Sequence, residues 1–185
     1  MADTGSALET LAAAKQRLSA ARRAAGSEGA ARAYALMEAQ VWRELARAYA
    51  GQRQEADAAL CVTQAELLDP HSADTAHVAG EVAEAAGDTG GAAALYEKAL
   101  ALQPSHAAAL RSLGALLCRR GGPCDRAVAG SLLADALRYD AASHAGWAAY
   151  GATESGPEAE RHLCHAVTLA AAAPIVSCSE LPLLL

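Results

Sequence analysis

The sequence has few aromatic residues and no phenylalanine, and only 4% of its 185 residues are Phe, Trp or Tyr. Residues branched at the β-carbon are also sparse, whereas Ala supplies roughly one residue in four, so helix propensity is high along nearly the whole chain. This composition predicts an all-α fold. The length is sufficient for one compact domain or for a short array of repeats.

The sequence also lacks any run of 18 apolar residues, which argues against a membrane-spanning helix. Its N-terminus has none of the basic start, apolar core and small-residue cleavage site of a signal peptide. The five cysteines include no CxxC pair, which is typical of reduced thiols in the cytosol. The net charge of −6 disfavours nucleic acid as a partner, because phosphate contacts need a basic face. We therefore expect a soluble, cytoplasmic protein.

No constellation of residues indicates catalysis. The glycine pairs Gly90-Gly91 and Gly121-Gly122 fall in turns between predicted helices and do not form a phosphate-binding loop. Cys164 lies close to His162 and His165, but no further ligand cluster accompanies them, so a metal site is not predicted. The sequence therefore predicts a protein that is not an enzyme and needs no cofactor.

A repeat is present instead. Pro70 and Pro104 lie 34 residues apart, and each follows a small residue, Ala65 or Ala99, by five positions. Thirty-four residues is the period of the tetratricopeptide repeat, a helix pair that buries its apolar face only by stacking on other pairs. The pattern predicts a right-handed α-solenoid of about four such pairs, with an N-terminal helix and an apolar C-terminal tail.

The same frame assigns roles to the residues of the first pair. Trp42, Leu45 and Tyr49 occupy positions for large packing residues, whereas Ala46 and Ala65 occupy positions where helix axes approach. In the second pair, Ala99 is the predicted point of close contact, with a large side chain, Tyr96, beside it.

Three segments follow from this reading: a basic, Ala-rich helical leader over 1–33, the repeat array over 34–171 and an apolar, Pro-containing tail over 172–185. The leader has five Lys or Arg against three Asp or Glu. It can be interpreted as a solvated capping helix or as a membrane-surface helix. The tail can be interpreted as a lid over the last helix or as a surface covered by a partner.

Stacked helix pairs usually bind partners on the concave surface that their first helices line. The frame assigns to that surface mostly charged residues, with basic groups flanking an acidic pair. The candidate partner-binding residues are Gln40, Arg43, Arg47, His77, Glu81, Glu84, Arg111 and Arg119, with Cys118 beside them.

Several segments resemble a particular group of these proteins. AQVWRELARAYA (39–50), GEVAEAAGD (80–88), SLGALLCRRG (112–121), HAGWAAYG (144–151) and LAAAAPIVSCSELP (169–182) follow one another in the same order as similar segments of the tetratricopeptide repeat protein seven family. The resemblance covers that family's C-terminal repeats only.

The resemblance implies a scaffold of the phosphatidylinositol 4-kinase type III alpha complex. In that family the C-terminal repeats hold a hyccin-family protein, and the assembly supports phosphatidylinositol phosphate biosynthesis at the plasma membrane. The implied partners of this chain are therefore proteins, a hyccin-family protein and the kinase, and any membrane contact is indirect. The alternatives are a general tetratricopeptide adaptor with an unrelated client and a membrane-surface protein that uses the basic leader.

Overall fold

A computed structural model of the protein describes residues 4–154 and 156–172. Within these residues the secondary structure consists of nine α-helices, with no β-strand. The helices are α1 (Thr4–Ala24), α2 (Glu28–Gly51), α3 (Glu55–Leu68), α4 (Ala73–Ala85), α5 (Thr89–Leu102), α6 (Ala107–Arg120), α7 (Pro123–Tyr139), α8 (His144–Gly151) and α9 (Pro157–Ala172). The all-α expectation is confirmed.

The order of the helices matches the predicted repeats. After α1, the pairs are α2 with α3, α4 with α5, α6 with α7, and α8 with α9. The chain divides into two compact units, unit 1 (Met1–Leu113) and unit 2 (Gly114–Leu185), and the division falls within α6.

Local signals in the sequence account for the helix ends. The N-caps of α2, α4 and α8 are serines whose side chains accept a hydrogen bond from a backbone N–H, and Asp88 does the same for α5. Gly87 has φ +88° in the turn between α4 and α5, a conformation that only Gly adopts at little cost. The helices α3 and α5 each end two residues before a proline, Pro70 or Pro104.

Small residues form the centre of unit 1. Ala46 and Ala65, predicted at positions of close helix approach, are fully buried. Ala99 is also fully buried and forms a cluster with Ala76 and Ala109, so three successive helices meet there through methyl groups. Close approach at these positions increases the contact between helices and reduces the volume that a core without phenylalanine has to fill.

A glycine opposite a large side chain recurs in three repeats. A Cβ added to Gly80 would lie 2.5 Å from the ring of Tyr96, and one added to Gly114 would lie 2.7 Å from Cγ of Leu133. The fourth repeat has the same arrangement between Gly151 and Leu163, at 3.1 Å. In these three pairs, the glycine on the first helix thus receives the large residue of the second helix.

The helix α1 packs against the first pair through its apolar side. Leu8 and Leu11 contact the core cluster of unit 1, and the ammonium of Lys15 lies 4.6 Å from the ring centroid of Trp42. The buried carboxylate of Glu38 accepts a hydrogen bond from Ser19 Oγ at 2.5 Å, and Nε of Arg22 lies 3.1 Å from its other oxygen. These contacts attach α1 to α2.

The helix α2 begins at Glu28, upstream of residue 34, where the predicted array starts. The predicted apolar tail, 172–185, lies outside the described residues except for its first residue, at which α9 ends. Among the described residues, no helix has both the length and the apolar content needed to cross a membrane.

Candidate protein-binding surface

The predicted partner-binding residues of unit 1 lie on α2, α4 and the first half of α6. We call their surface the A-face, defined by Gln40, Arg43, Arg47, His77, Glu81, Glu84 and Arg111. Positions 43, 77 and 111 are separated by the repeat length, as are 47 and 81. The first helices of successive pairs therefore present equivalent positions side by side.

An ion pair joins the first helices of pairs one and two. Nε of Arg47 donates to Oε2 of Glu81 at 2.7 Å, and Nη1 of Arg47 donates to Oε1 of Glu44, also at 2.7 Å. Burial lowers the pKa of Arg47, but the bonds and charges of the two carboxylates outweigh this effect and raise it. All three side chains remain partly exposed, so a partner can reach them.

A second group links α2, α4 and α6 through Asp74. Nη1 of Arg43 donates to Oγ1 of Thr75 at 3.3 Å, and Nη2 of Arg43 lies 3.8 Å from Oδ2 of Asp74. The ring of His106 accepts the N–H of Ala109 at Nδ1, so its neutral form carries the proton on Nε2 and donates to Asp74 at 2.9 Å. Burial raises the pKa of Asp74, but this bond and the charge of Arg43 outweigh burial, and the pKa is lowered.

Of the residues that define the A-face, His77 lies below the exposed side chains, because only 2% of the residue is exposed. Its Nε2 is hydrogen-bonded to Oγ of Ser112 at 3.0 Å and lies 3.9 Å from Oε1 of Glu81. Burial lowers the pKa of His77 to about 4, with the neighbouring charges of His106 and Arg47 acting in the same direction. The side chain is therefore neutral at pH 7 and supports the surface residues above it.

The contacts of His77 do not form a catalytic triad. A serine hydrolase places its serine and its carboxylate on opposite nitrogens of the imidazole. Here the oxygens of Ser112 and Glu81 both face Nε2. Among the residues that the structure describes, no three His, Cys, Asp or Glu side chains are grouped to hold a metal ion.

The remaining predicted residues are placed as follows. Gln40 is exposed on α2, and Glu84 accepts a hydrogen bond at 2.8 Å from the hydroxyl of Tyr96. Arg111 is half-buried at the start of α6. Arg119 and Cys118 belong to unit 2, in the last turns of α6, where Arg119 is exposed and burial raises the pKa of the Cys118 thiol. The structure thus connects Arg43, Arg47, His77 and Glu81 through shared neighbours within unit 1.

Sequence reasoning missed several members of this network, namely Glu44, Asp74, Thr75, His106 and Ser112. A signal was present for one of them. Asp74 lies one repeat length after the candidate residue Gln40, so projecting the candidates forward by 34 positions would have found it.

The A-face is close to neutral over unit 1. Its arginines, Arg43, Arg47 and Arg111, are accompanied by four carboxylates, those of Glu44, Asp74, Glu81 and Glu84. Long-range attraction of a strongly charged partner is therefore weak. Charges interleaved in this way instead favour one orientation of a partner over others, because a shifted partner would bring like charges together.

The thiol of Cys61 lies in an open cleft of about 350 Å³ between α1, α2 and α3, with Trp42 and Lys15 among the lining residues. Burial, followed by the charge of Asp57, raises the pKa of Cys61 to about 11. The thiol is protonated at neutral pH and is therefore a poor nucleophile.

No protein-family model matches the chain. Among curated proteins, it is 30% identical over 148 residues to human tetratricopeptide repeat protein 7B, and 28% identical over 147 residues to human tetratricopeptide repeat protein 7A. It is also 30% identical over 146 residues to protein NPGR2 of Arabidopsis thaliana. These alignments cover 75–78% of the chain but only 17–20% of the relatives' own length.

Two solved structures share the fold. One crystal structure of MamA aligns with a TM-score of 0.57 over 72% of this chain and 79% of its own, and a second aligns with a TM-score of 0.53 over 92% and 90%. Both are 17% identical to the chain, so they show the fold alone. The predicted fold class, an α-solenoid of tetratricopeptide type, is confirmed.

The helix pairs, the 34-residue spacing and the curated relatives together define the class: the chain belongs to the tetratricopeptide repeat proteins. Within that class it is similar to tetratricopeptide repeat proteins 7B and 7A, as the order of its segments indicated. The recognition made from the sequence is thereby confirmed at the level of a tetratricopeptide repeat protein 7-like chain.

Proposed function

We propose that the chain is a non-catalytic scaffold that binds a protein partner through the A-face of unit 1. The observation that carries the proposal is the row of partly exposed charged side chains from successive first helices, with the pair of Arg47 and Glu81 at its centre. Exposed ion pairs of this kind stabilise a fold by only about 0–1 kcal/mol each. Their charges are therefore available to orient a partner at little cost to folding.

The partner that the similarity to the tetratricopeptide repeat protein 7 relatives supports is a hyccin-family protein. In this proposal the chain helps to assemble or localise a complex of phosphatidylinositol 4-kinase type III alpha at the plasma membrane. The aligned segment is a small part of those relatives. We therefore propose direct binding to the hyccin-family protein, and an association with the kinase only through that protein.

The packing of α1 counts against a membrane-surface function. Such a function would require Leu8 and Leu11 to face lipid. Both instead contact the core of unit 1, and Lys15 lies against Trp42. Over residues 7–24, the exposed side of α1 contributes Ala13, Ala20 and charged groups, including Arg17 and Arg23, and no large apolar residue. A general adaptor with another client is the alternative outcome of the test below.

We expect the intact chain to bind a purified hyccin-family protein without the kinase. Arg47→Glu and Glu81→Arg each place like charges opposite one another, and each is expected to slow association several-fold, because the surface pattern is altered. The rate constants can be measured by surface plasmon resonance at two salt concentrations, with circular dichroism as a check on folding.

The double variant Arg47→Glu/Glu81→Arg is the matched control. It restores an ion pair within the chain but inverts the charges offered to a partner. If the double variant is about as stable as the wild type but associates slowly, the result supports binding at the A-face. Wild-type association in the double variant would show that the charge pattern is not read, and failure of the folded wild-type chain to bind would exclude the hyccin-type partner.

A further inference from the structure

A serine hydroxyl lies inside the contact between α1 and α2. Oγ of Ser19 donates to Oε1 of Glu38, whose side chain is only 6% exposed. Nε of Arg22 lies 3.1 Å from Oε2 of Glu38, but that oxygen accepts no hydrogen bond from the residues that the structure describes. Burying a carboxylate is costly unless it is paired and hydrogen-bonded. The contact of Glu38 with α1 therefore depends on one hydroxyl and one guanidinium.

The sequence around Ser19 is basic, although the whole chain has a net charge of −6. The Lys and Arg residues within four positions of Ser19 are Lys15, Arg17, Arg22 and Arg23. Positions 10–27 contain no Asp or Glu, and every other serine of the chain has at most one Lys or Arg within four positions. A protein kinase with an acidic substrate groove pairs with basic residues on either side of its serine. The segment around Ser19 therefore fits the substrate groove of such a kinase.

A phosphate on Ser19 would compete with Glu38 for the same cation. Residues three and four positions apart share one side of a helix, so Arg22 and Arg23 are within reach of a group on Ser19. A phosphoserine carries a charge of about −1.5 to −2 and three acceptor oxygens. It would draw Arg22 away from Glu38 and place two negative groups against each other. The modification therefore favours α1 as a helix but opposes its packing on α2.

We propose that Ser19 is a phosphorylation site and that its modification releases α1 from the first helix pair. A separate protein kinase catalyses the reaction, and ATP supplies the phosphoryl group. Oγ of Ser19 bonds to the γ-phosphorus of ATP, and the bond from that phosphorus to the bridging oxygen breaks as ADP leaves. The hydroxyl proton passes to a base of the kinase.

Access to Ser19 requires α1 to open. The docked Ser19 is half-buried and its hydroxyl faces Glu38, so the kinase acts on molecules in which α1 has moved away from α2. The large apolar side chains of α1 that contact the core cluster are Leu8 and Leu11, and a helix with so few buried contacts opens at lower cost than the whole unit. The phosphate then prevents return, because Glu38 accepts a hydroxyl donor and repels an anion. Ser19 thus controls an equilibrium between docked and open α1.

The opening of α1 uncovers part of the first helix pair. The ammonium of Lys15 lies over the ring of Trp42, and Lys15 lines the cleft of about 350 Å³ beside that ring. Without α1, the ring of Trp42 and the core contacts of Leu8 and Leu11 are exposed. Exposed apolar patches promote association with other proteins. The phosphorylated chain therefore offers an apolar surface, separate from the A-face, that the unmodified chain covers.

The first test is incubation of the purified, folded chain with ATP, magnesium and the catalytic domain of a serine kinase that selects Lys or Arg on both sides of the serine. Ser27 is the matched control, because it is exposed but has only Arg23 within four positions. Peptide mapping in a mass spectrometer should find about tenfold more phosphate on Ser19 than on Ser27. A synthetic peptide of residues 10–26 shows whether the kinase accepts the sequence itself.

The second test is hydrogen–deuterium exchange of the chain before and after phosphorylation. Exchange in peptides from α1 should become about tenfold faster, with no change in α5, because only α1 is released. The emission of Trp42, read in a Trp147→Phe background, should shift to longer wavelength.

Glu38→Gln is the matched control for the mechanism. The amide oxygen still accepts the hydroxyl of Ser19, but the charge that opposes a phosphate is absent. Phosphorylation should therefore accelerate exchange in α1 several-fold less in this variant than in the wild type. If Glu38→Gln does not fold, the comparison of the phosphorylated and unmodified wild-type chains decides.

Three results would overturn the proposal. One is a folded chain in which Ser19 is phosphorylated no more than Ser27, whether or not the kinase accepts the peptide. Another is a phosphorylated chain whose α1 exchanges as slowly as that of the unmodified chain. The third is equal acceleration in the wild type and in Glu38→Gln, since repulsion between the phosphate and Glu38 would then not be the cause of release.

Discussion

Tyr96→Ala is expected to lower the free energy of unfolding of unit 1 by about 3–5 kcal/mol, the range for removing a buried aromatic side chain. Tyr96 is 1% exposed, and its ring occupies the space left by the absent side chain of Gly80. Its hydroxyl donates to Glu84 at 2.8 Å, and burial together with that carboxylate raises its pKa. The substitution removes both the filling of the glycine site and the hydrogen bond.

Two variants divide this loss between packing and the hydrogen bond. Tyr96→Phe keeps the ring and should cost about 1.5–3 kcal/mol, the range for a hydrogen bond to a charged group. Tyr96→Leu introduces the residue that the third repeat uses at Leu133, and it should be less destabilising than Tyr96→Ala. Urea unfolding, followed by the fluorescence of Trp42 in a Trp147→Phe background, reports on unit 1. A Tyr96→Ala variant within 1 kcal/mol of the wild type would contradict the role given to this contact.

Acidification is expected to destabilise unit 1 through His77. Burial lowers the pKa of His77 from 6.5 to about 4. The negative charge of Glu81 opposes this shift, whereas the charges of His106, Arg47 and Arg111 lower the pKa further. The unfolded chain therefore takes up a proton between pH 6.5 and 4 that the folded chain does not. Stability from this group is complete above pH 6.5 and is lost as the pH falls towards 4, by about 3 kcal/mol in total.

His77→Gln is the matched control for the pH dependence, because glutamine offers an amide near the position of Nε2 and does not titrate. Other groups titrate equally in both proteins, so the difference between their curves of unfolding free energy against pH isolates His77. The wild-type curve should fall more steeply between pH 6.5 and 4, by up to about 1.4 kcal/mol per pH unit. Parallel curves would show that His77 is not held neutral by burial.

The helix pairs were predictable because residues close together in the sequence determine where each helix begins and ends. Short-range effects explain the prolines that follow α3 and α5 and the glycine at position 87. They also explain the buried alanines at positions 46, 65 and 99. The early start of α2 at Glu28 was harder to predict. Its N-cap, Ser27, lies within the predicted leader, and the segments before and after the break between α1 and α2 have similarly high helix propensity.

The candidate surface was predictable in position but not in chemistry. The 34-residue frame placed Arg47 and Glu81 side by side, and they form an ion pair. The frame could not show that His77 is buried, because burial depends on Ser112, which is 35 residues away, and on the rings of Tyr96 and His106. Such contacts depend on side-chain direction in three helices at once.

The measurement that tests the central claim most directly is hydrogen–deuterium exchange of the chain alone and with bound hyccin-family protein. Binding at the A-face predicts slower exchange in peptides from α2 and α4, which present Arg47 and Glu81, and little change in α3 and α5. Slower exchange confined to α3 and α5, or no difference anywhere in a folded chain at saturating partner, would contradict the assignment of the A-face as the binding surface.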